Sequence, residues 1–159
     1  MKNARVRKPV VAVVNTNNDL VSALQHGLEA EGFNIVTAHI EAIKSGEVDF
    51  AAFLDEHNPA LVIYDIVLPY DGNWVFLKML RQLPQAQHRP FVVTTVNKRA
   101  LDARVGATDA IEIRGGHADD IAPTMDAVRN ALHKRATSDT TRRPVTGRKR
   151  GRTKSSPRP

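Results

Sequence analysis

The sequence predicts an α/β fold, a doubly wound five-stranded parallel sheet with helices on both faces. Three observations lead there. Short apolar, β-branched runs recur at residues 10–14, 61–65 and 91–95, the signature of strands buried on both faces. Between them lie stretches whose apolar residues repeat at helical spacing. Asn, Gly and Pro cluster at the junctions, where turns are needed.

The elements follow in order. Residues 10–14, Val-Val-Ala-Val-Val, form the first strand, and Asn15-Thr-Asn-Asn18 the loop after it. Asp19 sits near the start of a helix whose Leu20, Leu24 and Leu28 share one face, and Gly32 stops it. A second strand covers 33–38. A second helix covers about 47–57, with Phe50, Phe53 and Leu54 on one side, and Asn58-Pro59 ends it. The third strand, 61–65, closes on Asp65. A Pro- and Gly-containing loop is expected over 66–73, then a helix over 74–83 with Phe76, Leu77 and Leu80 facing the core. A fourth strand at 91–95, a short helix at about 98–105 stopped by Gly106, a fifth strand at 110–113 and a last helix over about 119–134 complete the pattern. Strands alternating with helices imply parallel pairing and right-handed crossovers. The commonest five-stranded solution is the flavodoxin-like (βα)5 arrangement, strand order 2-1-3-4-5. Its sites lie at the carboxyl ends of the strands, near the switch point between strands 1 and 3.

Charge divides the chain of 159 residues unevenly. Net charge is +6, yet residues 134–159 hold ten Lys or Arg against Asp139 alone, a net of +9. The remainder carries 6 − 9 = −3, and setting aside Lys2, Arg5, Arg7 and Lys8 leaves about −7 in the middle. Three regions result: a basic segment 1–8, a globular body 9–135, and a tail 136–159 of Thr, Ser, Arg, Lys, Pro and Gly. The tail has too little apolar surface to offset its ordering entropy and is expected to be disordered. Its basic residues have no aromatics among them, so it suits sequence-independent contact with a polyanion such as nucleic acid. The absence of cysteine excludes disulfides and thiolate sites and accords with a cytoplasmic location. No apolar run approaches the length of a membrane span, and no signal peptide is evident.

Asp65 is the leading site candidate. An acid closing an apolar strand is costly unless it is solvated or used. Tyr64-Asp-Ile-Val-Leu-Pro-Tyr-Asp-Gly72 resembles the signature of response-regulator receiver domains of two-component signalling: an acceptor Asp, two apolar residues, Leu-Pro or Met-Pro, then Gly. Pro90-Phe-Val-Val-Thr-Thr95 and Gly106-Ala-Thr-Asp-Ala-Ile resemble two further receiver segments, so the likeness runs over roughly residues 9–134. It implies that Asp65 accepts a phosphoryl group from a histidine kinase or phosphotransfer protein. It gives Thr95 the switch hydroxyl and points to Mg²⁺ held by Asp65, a loop carbonyl at Val67 and Asn15. Gly72 falls one residue closer to Asp65 than usual, so the loop is expected to be a residue short.

Two positions depart from the family. Asn15 and Thr16 stand where receivers carry the acid pair that holds Mg²⁺, and Asp19 lies about a helical turn further on. Where receivers place a lysine after strand 5, a gap-free reading gives Ile113 and a shifted one Arg114 or Gly116. Arg114 can supply the charge, though not the geometry of an ammonium. Lys98 is a further cation of unassigned direction.

The expected function is therefore a stand-alone receiver, not an enzyme, acting on a downstream protein. The alternative is a degenerate pseudo-receiver that works by protein contacts without phosphorylation. His26, His39, His57, His88, His117 and His133 show no metal-ligand spacing. Arg114-Gly-Gly116 lacks the glycine pattern of a nucleotide loop, and no serine or threonine sits in a nucleophile motif.

Overall fold

The computed structural model describes residues 7–114 and 118–141. Among them the order is β1 (Val10–Asn15), α1 (Asn18–Ala30), β2 (Asn34–His39), α2 (Ile40–Lys44), α3 (Phe50–His57), β3 (Leu61–Ile66), α4 (Tyr70–Arg81), β4 (Phe91–Thr95), α5 (Lys98–Val105), β5 (Ile111–Glu112) and α6 (Ala118–Thr141). All strand pairs are parallel and the sheet order is β2-β1-β3-β4-β5, the expected flavodoxin-like topology.

The period-two alternation of a strand divides the core into two layers. Ala12, Val14, Val62, Tyr64, Ile66 and Val93 face α2, α3, α4 and α5. Val11, Val13, Leu61, Ile63 and Val92 face α1 and α6. Gly27 brings those last two helices together, since a Cβ there would stand 3.0 Å from Ile121 Cδ1. Side chains cap four helices: Asn17 accepts from the amides of Asp19 and Leu20, His39 Nδ1 from Glu41, Asp49 from Ala52, and Asn97 from Ala100. Arg89 fastens the opposite end of the sheet, donating to the Gln85 and Pro59 carbonyls and to Asn58 Oδ1.

Several boundaries differ from the sequence reading: α3 starts at Phe50 rather than about 47 and β5 covers Ile111–Glu112 rather than 110–113, and three differences are larger. Ile40–Lys44 is helical, a short element ahead of the expected second helix. α4 starts at Tyr70, so Gly72 lies inside a helix and the loop after β3 shrinks to residues 67–69. Pro69 occupies the N-cap, where a missing N–H costs nothing, and burial of Tyr70 fixes the first turn. α6 runs to Thr141, past the start assigned to the tail at 136. Residues 142–159, the basic segment through Val6, Gly116 and His117 lie outside the described residues. No helix among the described residues is long and apolar enough to cross a membrane.

Candidate functional site at the carboxyl ends of β1, β3 and β4

Register and alternation decide which side chains meet. Asp65 continues the Leu61–Ile63 face of β3 and Thr94 the Val92 face of β4, and the two residues pair directly across the sheet. Asn15 continues the Val11–Val13 face of β1, one register step beyond the Val14–Tyr64 pair, which brings it alongside Asp65. All three point to the α1/α6 side and all are buried: Asn15 2%, Asp65 3% and Thr94 0% exposed.

The Thr94 hydroxyl donates to Asp65 Oδ1 at 2.7 Å. Thr95 is thereby corrected as the hydroxyl partner. It lies on the opposite face of β4 and donates to the Ile66 carbonyl at 2.9 Å. Burial pushes the Asp65 carboxyl up to about 6, and the Thr94 hydrogen bond only partly opposes the shift. Among the described residues no cation opposes the shift. Arg114 is 80% exposed and paired to Glu112. Lys98 Nζ turns to Asp102 Oδ2 at 2.7 Å and the Thr108 carbonyl at 2.6 Å. Ile113, the gap-free match to the family's lysine, is buried in the apolar layer on Asp65's own face.

Two of the expected metal ligands are otherwise engaged. Asn15 Oδ1 accepts from the backbone amides of Thr16 at 2.6 Å and Asn17 at 2.8 Å, which leaves Nδ2 buried without a partner. That orphan atom is a donor and has no lone pair for a cation. The Val67 carbonyl accepts from Asn73 Nδ2 at 2.8 Å, and Asn73 Oδ1 in turn accepts from Lys44 Nζ. Asp65 is the one carboxylate in the expected set of Asp65, Asn15 and Val67. No group of three or more His, Asp or Glu residues able to hold a metal occurs among the described residues. Receivers as a class bind Mg²⁺ beside the acceptor aspartate. The donor set Asp65, Asn15 and Val67 does not fit that ion, which needs several hard oxygen ligands and favours carboxylates.

Asn73 was missed in the sequence. The only signal for it was a polar residue on the inward helical face with Tyr70, Leu77 and Leu80. A cleft of about 740 Å³ opens elsewhere, between β4, β5 and α6, and includes none of Asn15, Asp65 or Thr94.

Comparison with known proteins agrees with this architecture. No family profile matches the chain. The phosphate regulon transcriptional regulatory protein PhoB of Rhizobium meliloti is 30% identical over 107 residues, 65% of this chain and 44% of PhoB, so the chain spans under half of that relative's length. Among solved structures, the signal receiver domain of a putative LuxO repressor protein from Vibrio parahaemolyticus superposes with TM-score 0.60 at 20% identity. It covers 87% of this chain and all of that domain. Vibrio cholerae CheY4 gives TM-score 0.54 at 20% identity, over 77% and 99% of the two chains. The chain has the fold of receiver domains. In sequence it resembles the response regulators of two-component systems.

Proposed function

We propose that the chain is a two-component signalling receiver that transmits through protein contacts, without Mg²⁺-supported phosphorylation of Asp65. One observation carries this reading: Asp65 is buried and hydrogen-bonded to Thr94, and among the described residues no charged group acts on its carboxyl. A phosphoryl group brings roughly −1.5 to −2 charge. Phosphoryl transfer depends on neutralising the charge that develops, and among the described residues no cation acts on Asp65 to do so. The proposed partners are a histidine kinase or phosphotransfer protein on the input side and a downstream protein on the output side, all cytoplasmic.

A second reading has one observation in its favour. Asp65 lies at the carboxyl end of β3, beside the sheet's switch point, within a receiver-like Asp-Ile-Val-Leu-Pro segment. In that reading a carboxylate oxygen attacks phosphorus in line and the phosphorus–nitrogen bond to the donor histidine breaks. Incubation with Mg²⁺ and acetyl phosphate, followed by intact-mass measurement, separates the two. The expected outcome is an unmodified mass. A single phosphoryl adduct that disappears in Asp65→Asn would replace the first reading with the second.

A further inference from the structure

We propose that α4 is a self-association surface, through which two copies of this chain pack antiparallel about a two-fold axis near Val75. Four large apolar side chains are exposed among the described residues: Leu68 at 73%, Val75 at 60%, Met79 at 56% and Val96 at 53%. Three of them belong to one place. Val75 and Met79 stand one turn apart on the outward face of α4, and Leu68 lies in the loop just ahead of it. The inward face is already used, with Tyr70, Leu77 and Leu80 buried in the core. A helix with apolar residues on both sides has a second surface to cover.

Gly72 lies on the same outward face, three residues before Val75. No atom lies within 4 Å of a Cβ built on it, and its φ is not positive. Packing within the chain therefore does not require a glycine, although glycine in a helix costs about 1 kcal/mol relative to alanine. Its bare backbone suits close approach by another helix.

Charge selects the occupant. Asp71 and Lys78 lie seven residues apart, along one row beside the apolar seam. Reversing the direction of a second α4 about Val75 brings Asp71 of each copy beside Lys78 of the other, forming the pair twice. A parallel two-fold arrangement would put the charges of the two copies on opposite rims of the seam and form no such pair. The face is thus self-complementary, as a two-fold interface requires. Asp71's contact within the chain, with Arg104, is 3.9 Å long and exposed on both sides, which leaves the carboxylate available.

A seam of this size is smaller than the interfaces of tight dimers, so a dissociation constant on the order of 100 μM is expected. Sedimentation equilibrium of the full chain from about 10 μM to about 1 mM spans that value. The mass should rise from one chain toward two. Val75→Glu and Met79→Glu should each hold the chain monomeric with unchanged circular dichroism, since both sites are exposed. Gly72→Leu should do the same by blocking approach. Asp71→Lys and Lys78→Asp should each weaken association about tenfold, and the double swap should restore it. A chain that stays monomeric throughout overturns the proposal, including one whose α4 face binds only a different protein. So does a dimer indifferent to Val75, Met79 and the charge swap.

Discussion

Asp65 holds its proton more tightly in the folded chain than in the unfolded one, and that fixes a pH dependence. Its carboxyl moves from an ordinary 3.8 up to about 6, chiefly through burial. An acid whose pKa rises on folding favours the folded state at low pH. That advantage is full below 3.8, declines through the window between 3.8 and about 6, and is absent above it. The window corresponds to about 3 kcal/mol. Asp65→Asn keeps an oxygen to accept from Thr94 and removes the titrating group. Urea denaturation should therefore show this variant more stable than the native chain at pH 7.5, by up to about 3 kcal/mol, with the difference shrinking toward pH 4. Equal stability of the two at all pH values would show that Asp65 ionises without penalty. The site's identity was legible at this scale and its partners were not. An acid ending Leu-Val-Ile-Tyr stands out in one strand, whereas choosing Thr94 over Thr95 needs the register of β4 against β3. That register is set by packing between strands distant in sequence.

At the scale of elements, Asn73 ties three segments together. Its amide nitrogen donates to the Val67 carbonyl in the loop after β3, and its oxygen accepts from Lys44 at the end of α2. It is 3% exposed, so both contacts form away from bulk water. Asn73→Ala removes both at once and leaves the Val67 carbonyl without that donor. A loss of about 1–3 kcal/mol in unfolding free energy is expected, with faster amide exchange at Leu68 than elsewhere in the sheet. Asn73→Asp offers Lys44 a charge but turns an oxygen toward the Val67 carbonyl, so it should not recover the loop's protection. An unchanged exchange rate in both variants would mean that Pro69 and Tyr70 alone hold the loop. The same region shows why some boundaries escape sequence reading. β4 and α5 are bracketed by Pro90, Asn97 and Gly106, and their limits follow from those residues. α2 is five residues long, too short for a 3.6-residue period to appear. The start of α4 hides behind Pro69 and Gly72, which read as breakers until the burial of Tyr70 is known.

For the whole molecule the governing feature is the separation of charge along the chain. The doubly wound topology was legible because each strand and helix repeats its own period, and parallel order then leaves few arrangements. Charge separation is legible too, as a matter of counting, and it makes a prediction independent of the Asp65 site. Residues 142–159 contain eight Lys or Arg and no acid, while the middle of the chain is acidic. A polyanion should therefore meet the chain at this segment, and the acidic body should repel it. Binding to duplex DNA would release at most about eight counterions, which limits the slope of log K against log salt to about −7. Fluorescence anisotropy with a labelled duplex should show binding at about 50 mM salt that is indifferent to base sequence and lost by about 200 mM. A chain ending at Thr141 should not bind at either salt, and its fold should be unaffected, since the described core lies before that point. Binding that survives this deletion, or that prefers one base sequence, would place the nucleic-acid contact on the α/β body instead. That result would be hard to reconcile with a net charge of about −7 between the basic ends.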